Sequence, residues 1–379
     1  MKKKKKRPVV IIHFQPVELY PPIVNLLKYL DKHQMQVLVL STRNKKGNTF
    51  NESNNLFENT RIKRTAGINA GTPFRVFNYT FFYIYSFYLL VKHRPKAVLY
   101  FETISSWPAL IYKKWRRNKV NLFVHYHEYL SVDEYAINMR LVKWMHALES
   151  KMYDKDFHWI SHTNEPRMQK FIIDHQLEKI NRSIFHTMAN YPSKSWAKGK
   201  TAFGSNNKIR LVYVGSLGYN TMYLKEIVDW VILHAEELSL DIYSHNMDEK
   251  SRQFLQTIEH DQVRFHDACD YEELPAILKK YDVGLVLYKP TSDNWIYNAP
   301  NKVFEYLACG LDVWFSKTMT FTMTFAREDA FPKIIPLDFE KLKEFNVQKA
   351  VNREGINFNQ NNFYYENVYG ELYKSLLIS

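Results

Sequence analysis

Short runs of β-branched and aromatic residues alternate with longer amphipathic segments through the first half of the chain. The short runs predict strands at residues 9–14, 37–41, 97–101, 121–125, 157–161 and 184–189. Between the first two, Ile23, Leu26, Leu27 and Leu30 recur three and four residues apart, which places them on one face of a helix over 21–33. Helices are also predicted over 107–115 and 139–153, whereas 43–72 lacks a clear period and suggests a loop with one short strand. Such alternation is typical of a parallel sheet covered by helices.

The same alternation starts again after a polar segment rich in small residues, 193–207, which we interpret as an interdomain linker. Beyond it the pattern predicts strands at 210–214, 240–243, 263–266, 283–287 and 312–315, and helices at 224–238, 250–259, 272–281 and 300–309. The predicted fold class is α/β, with two doubly wound Rossmann-like domains, 1–192 and 208–379, that face each other across a cleft. The last helix, which this division assigns to the second domain, could instead pack back on the amino-terminal domain.

Composition and charge limit the environment and the partners of the chain. With 379 residues, 46% of them hydrophobic, it is neither disordered nor fibrous. The net charge is +13, and because residues 2–7 supply six of these charges, the folded body carries about +7, enough to attract phosphates or anionic lipid. Only two cysteines, Cys269 and Cys309, are present, which indicates a reducing, cytoplasmic location.

Two segments could be mistaken for membrane-directed sequences. The apolar run after the basic start is interrupted at His13, so no signal peptide is predicted. Residues 74–91 contain polar side chains and are rich in tyrosine and phenylalanine rather than leucine. They predict a buried or surface-seated helix rather than a membrane span.

The segment from Asn298 to Gly310 is the most informative one for chemistry. Pro300 suits the first position of a helix, and Gly310 suits the left-handed residue that closes one. Lys302 and Glu305 are three residues apart and share a face near the helix start, where unpaired backbone N–H groups favour an anion. Lysine can hold a diphosphate, and a carboxylate can accept two ribose hydroxyls. By spacing alone, an ordinary surface ion pair is the simpler interpretation.

The run Pro-Asn-Lys-x-x-Glu-Tyr-Leu-Ala-x-Gly at 300–310 resembles the donor-binding helix of family 4 retaining glycosyltransferases, which have the two-domain GT-B fold. Three other segments resemble that family in the same order: Asn-Tyr-Pro at 190–192, Val-Tyr-Val-Gly-Ser-Leu-Gly at 212–218 and Tyr-Asp-Val-Gly-Leu-Val at 281–286. The family often has a further glutamate eight positions before the ribose-binding one, and here that position is Tyr297. The family's usual basic residue after the glycine loop is also missing, with Lys225 as the nearest candidate.

The resemblance implies roles for individual residues. Glu305 would bind the ribose of a nucleoside-diphosphate sugar, and Lys302 would face its diphosphate from the helix that starts near Asn301. Backbone amides around Gly215, Ser216 and Gly218 would assist. In the amino-terminal half the family commonly has a histidine that contacts the donor sugar, and the resemblance makes His127 the preferred counterpart and His125 the second choice.

Other interpretations of the amino-terminal residues remain open. The His-x-His spacing of His125 and His127 could hold a metal, but no clear third ligand emerges, so no metal is expected. Glu18, Glu102 and Arg167 follow predicted strands and are acceptor-side candidates. For the segment around Arg167, capping of a helix by Asn164 is at least as good an explanation.

These observations predict a retaining glycosyltransferase, free of metal and other cofactors, that moves a sugar from a nucleoside-diphosphate sugar to a cell-surface polysaccharide or lipid-linked glycan. Basic residues 113–117, the basic terminus and the aromatic segment 74–88 could seat it on anionic lipid, or could form a solvated charged face over an aromatic core helix. The alternatives are a nucleotide-sugar epimerase or phosphorylase of the same architecture, and a non-catalytic basic protein that binds membrane or nucleic acid. Because no nucleic-acid module is recognisable, no nucleic-acid partner is expected.

Overall fold

The computed structural model describes residues 7–43, 57–67, 72–197, 208–244, 246–267, 269–352, 356 and 362–378. The chain divides into two compact units. The first comprises Met1–Asn190 together with Tyr365–Ser379, and the second comprises Tyr191–Tyr364. Within the described ranges, no helix is both long and apolar enough to cross a membrane.

A parallel sheet of seven strands forms the first unit. Its strands are β1 (Val9–Ile12), β2 (Val37–Thr42), β3 (Thr60–Thr65), β4 (Ala97–Phe101), β5 (Asn121–Tyr126), β6 (Phe157–His162) and β7 (Phe185–Thr187). Its helices before the crossover to the second unit are α1 (Pro21–Lys32), α2 (Thr72–His93), α3 (Ser106–Arg116), α4 (Val132–Ile137), α5 (Arg140–Glu149) and α6 (Glu165–Asp174). Along β1, Val10 and Ile12 join one core, and Val9 and Ile11 join another, because side chains alternate across a strand. The sheet is therefore covered on both faces.

A second parallel sheet, of six strands, forms the other unit. Its strands are β8 (Ile209–Val214), β9 (Leu238–Tyr243), β10 (Val263–His266), β11 (Val283–Val286), β12 (Asp312–Ser316) and β13 (Ile334–Leu337). Its helices are α7 (Leu224–Leu233), α8 (Glu249–Gln256), α9 (Leu274–Leu278), α10 (Asp293–Ile296), α11 (Asn301–Ala308) and α12 (Val347–Val351). The predicted α/β class with two Rossmann-like sheets is confirmed.

The last helix, α13 (Gly370–Ile378), belongs to the first unit. Leu372 and Leu376 are buried in the same core as Leu30 of α1. Just before the helix, the Tyr369 hydroxyl donates a hydrogen bond to the Pro22 carbonyl at 3.0 Å. Of the two placements considered for this helix, the structure has the one on the amino-terminal unit.

The boundaries of several elements differ from those predicted. The predicted linker 193–207 is wrong at its start, because Trp196 is buried in the core of the second unit and the division falls between Asn190 and Tyr191. Residues 198–207 lie outside the described residues. The helix predicted to end at 238 ends at Leu233, since a turn at His234 leads directly into β9. Strand β3 is the short strand expected within 43–72, whereas β13 was not predicted.

Candidate functional site

Each sheet reverses its strand order once, and several of the predicted site residues of each unit lie near the switch point of its own sheet. The order is β3-β2-β1-β4-β5-β6-β7 in the first unit and β10-β9-β8-β11-β12-β13 in the second. The direction of winding changes between β1 and β4, and between β8 and β11. At such a switch point the connections leave in opposite directions from neighbouring strands, which opens a crevice at the carboxyl ends of the strands.

Helix α11 is held close to the second sheet by a glycine. A Cβ atom placed on Gly284 of β11 would lie 2.2 Å from the ring of Tyr306, so only glycine allows this approach. The Tyr306 hydroxyl accepts the backbone N–H of Val214 at 3.1 Å, which ties the helix to the end of β8. Gly310, with φ of 79°, closes the helix as predicted, whereas Pro300 is its extended N-cap rather than its first helical residue. The open end of α11 is thereby fixed at the switch point.

Lys302 lies in the first turn of α11 between two tyrosines. Its Nζ is 4.3 Å from the centre of the Tyr213 ring and 5.1 Å from that of Tyr288, and it donates to the Tyr213 hydroxyl at 3.1 Å. These rings come from the ends of β8 and β11, the two strands of the switch point. Burial lowers the pKa of Lys302 to about 7, although the carboxylate of Glu305 opposes this shift. A negatively charged ligand would restore the charge of this lysine.

Glu305 lies one turn further along α11 and is buried, with 8% of its surface exposed. Its Oε1 accepts a hydrogen bond from the Tyr271 hydroxyl at 3.0 Å. Burial raises the pKa of Glu305 to about 7, while the bond from Tyr271 and the charge of Lys302 act in the opposite direction. A buried carboxylate has acceptor positions beyond this one bond, and paired hydroxyls can fill them. The simpler interpretation as a surface ion pair is therefore wrong for Glu305.

The glycine loop after β8 approaches Lys302. Gly215 has φ of 134°, a backbone conformation that favours glycine, and a Cβ at this position would lie 2.9 Å from the lysine Nζ. Asp248 holds the rest of the loop by accepting the N–H of Tyr219 at 3.0 Å. Ser216 is exposed, and a Cβ on Gly218 would meet the Thr221 side chain at 2.3 Å. Gly215, Ser216, Lys302 and Glu305 thus share one region of the second unit, and Asn301 opens the helix beside them.

In the first unit, Glu102 and His127 meet at the carboxyl ends of β4 and β5. The Glu102 carboxylate accepts the backbone N–H of His127 at 2.6 Å and lies 3.3 Å from its Nδ1. Because a carboxylate only accepts, the Nδ1–H tautomer fits this contact and leaves Nε2 as an acceptor. Glu102 adopts φ of 61° and ψ of 149°, a backbone conformation that is nearly restricted to glycine and costs about 1–3 kcal/mol. Such strain commonly marks a functional position.

Two further histidines surround this contact. His13, directly after β1, is 1% exposed, and its ring packs edge-on against Tyr20 at 4.4 Å. Neither of its ring nitrogens, nor Nε2 of His127, has a hydrogen-bond partner within the described part of the chain. His125 is buried inside the sheet, with Nδ1 at 3.0 Å from the Ser161 hydroxyl. Burial lowers the pKa of both His13 and His125, so these rings are neutral.

Arg167 and Glu18 are held by protein contacts. Arg167 is buried and donates from Nη1 to the His127 carbonyl and to the Thr163 hydroxyl, each at 2.8 Å. The cap is confirmed as well, because the Asn164 side chain accepts the N–H of Arg167 at 3.0 Å. Glu18 forms a buried ion pair with Arg64 of β3. Arg167 thus supports the backbone of His127, and Glu18 joins the loop after β1 to the sheet edge.

Sequence reasoning did not single out His13, Tyr213, Tyr271 or Tyr288. A signal existed for Tyr288, which directly follows the predicted strand 283–287, and for His13, which interrupts the apolar run of the predicted strand 9–14. Tyr271 gave no signal, because its contact with Glu305 bridges separate elements. Lys225 forms an exposed pair with Asp229 on α7, and Tyr297 follows α10. In the regions that the structure describes, no three His, Cys, Asp or Glu side chains are arranged to hold a metal ion.

Comparison with known proteins identifies the fold. No protein-family model and no curated protein matches the chain. HepE of Anabaena, solved with UDP and glucose, is similar over 99% of this chain and 100% of its own, with a TM-score of 0.66 and 10% identity. Sucrose-phosphate synthase of Thermosynechococcus elongatus is similar over 98% and 100%, with a TM-score of 0.65 and 14% identity. UDP-GlcNAc 2-epimerase of Methanocaldococcus jannaschii is similar over 98% and 100%, with a TM-score of 0.61 and 13% identity. The chain therefore has the fold of GT-B proteins, which carries more than one reaction.

Proposed function

We propose that this chain is a retaining glycosyltransferase, similar to family 4, that transfers a hexose from a nucleoside-diphosphate sugar. The observation that carries the proposal is the pairing of Lys302 and Glu305 on one face of α11, at the switch point of the second sheet and beside Gly215. The lysine is poised for a diphosphate and the acid for a diol, and a nucleoside-diphosphate sugar contains both groups.

The donor would bind to the second unit through charge and backbone groups. Lys302 and the first-turn N–H groups of α11, starting at Asn301, would hold the diphosphate, and the amides of Ser216 and Gly218 would add to them. Fixed positive groups in a buried site stabilise the negative charge that develops on a leaving diphosphate. Glu305, fixed by Tyr271, would accept the ribose hydroxyls. We expect this donor site to work without a metal or other cofactor.

The first unit would supply the groups that meet the transferred sugar. His127 is the better candidate for that contact, because Glu102 orients its ring and leaves Nε2 as an acceptor for a sugar hydroxyl. His125, bonded to Ser161 within the sheet, would support it from behind. Arg167 would position the His127 backbone, and Glu18 would shape the acceptor loop. The acceptor would be a cell-surface polysaccharide or lipid-linked glycan, met in the cytoplasm or at the inner face of the membrane.

A panel of nucleotides and sugar nucleotides tests the donor site by thermal shift. A ligand at about 100 times its Kd stabilises the folded protein by about 2.7 kcal/mol. The nucleotide that binds is then compared with its 2′,3′-dideoxy analogue. In the wild type the analogue should bind more weakly by about 1.5–3 kcal/mol, because it lacks the hydroxyls that bond a charged acceptor.

In Glu305→Gln this discrimination should shrink to less than about 1 kcal/mol. Glu249→Gln is the matched control, since Glu249 is an exposed acid of the same unit with 72% of its side chain exposed, and it should behave like the wild type. Equal discrimination in Glu305→Gln and the wild type would remove the ribose role. A panel without any stabilising nucleotide would overturn the donor site.

The reaction is tested on the sugar nucleotide that the panel selects. Incubated with protein alone, the donor sugar should keep its configuration, and with a glycan acceptor it should be transferred with its anomeric configuration retained. A change of configuration without an acceptor, seen by NMR, would instead establish an epimerase of the same fold.

A further inference from the structure

Helix α2 carries a continuous apolar stripe on its outward face. The stripe consists of Phe74, Phe77, Phe81, Ile84 and Tyr88, which recur three and four residues apart and therefore lie on one side of the helix. Each is between 46% and 69% exposed. The rings of Phe77 and Phe81 are parallel within 13° at 6.2 Å, so these two neighbours in the stripe stack on each other. We call these five residues the α2 stripe.

The opposite face of α2 already anchors the helix to the first unit. Phe82, Leu89 and Leu90 are buried in the core. The Tyr83 hydroxyl donates to the Ile104 carbonyl at 2.9 Å. Because the inner face is fully packed, the stripe cannot be covered by rotation of the helix. Exposed apolar side chains that are contiguous in this way mark an interaction surface.

One end of the α2 stripe is basic. Lys92 lies 5.8 Å from the centre of the Tyr88 ring. At the end of the neighbouring α3, Arg116 lies 5.6 Å from the ring of Trp115, which is 54% exposed. Burial raises the pKa of Tyr112, and the charges of Arg116, Arg7 and Arg94 act against it, so these arginines gather around one hydroxyl. Residues 72–93 include no acidic side chain, and five lysines precede Arg7 in the sequence.

The charges around the α2 stripe indicate which kind of partner covers it. A second helix packed along the stripe, such as that of another copy, would need acidic residues beside the seam to pair with basic ones. The flanking positions hold Asn78, Tyr85 and Lys92 on one side and Thr80 and Phe87 on the other, so a second copy would offer no acidic side chain to pair with Lys92. An interface of phosphate headgroups over acyl chains matches both an aromatic stripe and a basic end.

We propose that the α2 stripe and its basic end dock the first unit on an anionic lipid bilayer, with α2 parallel to the membrane plane. The aromatic rings would enter the headgroup region, and Lys92 and Arg116 would contact lipid phosphates. This surface goes beyond the proposed reaction and stands independently of it, because none of its residues belongs to the donor site.

Co-sedimentation of the full chain with vesicles tests the surface. The wild type should bind vesicles with about 30% phosphatidylglycerol at about 0.1 M salt, and should bind pure phosphatidylcholine at least about tenfold more weakly. The variant Phe77→Ser/Phe81→Ser/Ile84→Ser should lose at least about tenfold in binding to the anionic vesicles. Ile173→Ser/Leu233→Ser/Phe265→Ser removes three exposed apolar residues elsewhere and should bind like the wild type.

The basic end is tested with a separate variant. This second variant keeps the proposal testable if the stripe variant fails to fold. Because Lys92 and Arg116 form this end, Lys92→Gln/Arg116→Gln should weaken anionic-vesicle binding about fivefold for each charge. Equal binding to both vesicle types, or an equal loss in the control triple variant, would overturn the proposal. The proposal would also be overturned if light scattering showed a wild-type dimer, the stripe variant were a monomer, and neither form bound vesicles. Nucleotide thermal shifts of the variants report on the donor site independently.

Discussion

Alanine at position 284 would place a methyl group inside the ring of Tyr306. The new Cβ would lie 2.2 Å from two ring carbons and 2.6 Å from a third. Neither partner can move freely, because Gly284 pairs with Val212 and Val313 in the sheet, and Tyr306 is fully buried and bonds to Val214. The ring must shift, and α11 must shift with it.

The magnitude follows from two costs. Overpacking of a rigid core typically costs about 1–3 kcal/mol, and this overlap belongs at the upper end of that range. If the ring gives way, the N–H of Val214 also loses its acceptor, which costs about 1–3 kcal/mol more. We therefore expect Gly284→Ala to destabilise the second unit by about 3 kcal/mol or more, or to lower its melting temperature by about 6–12 °C. Sugar-nucleotide affinity should fall as well, since Lys302 and Tyr306 share α11.

Differential scanning calorimetry measures this effect, and the chain provides a matched control. A Cβ on Gly370, at the start of α13, would meet only the Tyr29 hydroxyl, at an ordinary distance of 3.6 Å. Gly370→Ala should therefore change stability by no more than about 0.5 kcal/mol. A Gly284→Ala protein that melts and binds like the wild type would show that the close packing of α11 on β11 is not what positions the site.

Two further predictions concern the ionisable and strained groups. Sugar-nucleotide affinity should peak near pH 7. Above pH 7 it should fall about tenfold per pH unit, because Lys302, with a pKa of about 7 in the free site, must be protonated to bind. Below pH 7 it should also fall, because Glu305, whose pKa is also about 7, must be ionised. Calorimetric titration should show that Glu305→Gln loses only the acidic limb, and a flat profile between about pH 6 and 8 would contradict both roles. Glu102→Gly should be more stable to urea than Glu102→Ala by about 1 kcal/mol, because both lose the carboxylate but only alanine keeps the penalty at φ of 61°. Equal midpoints would mean that no strain is stored there.

Much of the fold could be predicted from local pattern. Three of the four strands that border the switch points, β1, β4 and β11, are buried along their whole length, so they appear as apolar runs such as Val9–Ile12 and Val283–Val286. The donor helix was visible because Pro300 and Gly310 mark its ends. Two of the edge strands, β3 and β13, gave weaker signals, and β13 was missed because its four residues are interrupted by Pro336.

The site was less predictable because its contacts join distant parts of the chain. Tyr213 and Tyr288, which flank Lys302, are more than seventy residues apart in sequence, and no local pattern relates them. Nothing in the sequence around Glu102 indicates a glycine-like backbone, since that conformation is imposed by the ends of β4 and β5. For α2 the sequence offered burial or surface seating, and the structure shows both, on opposite faces of one helix.

The return of the chain to the first unit for α13 has a consequence for synthesis. Tyr369, Leu372 and Leu376 complete the core around α1, yet they leave the ribosome only after the whole second unit. All residues of the second unit can therefore be available on the nascent chain while the core of the first unit still lacks α13. The core of the first unit is complete only when α13 has emerged, so its folding depends on a segment that is made after the second unit.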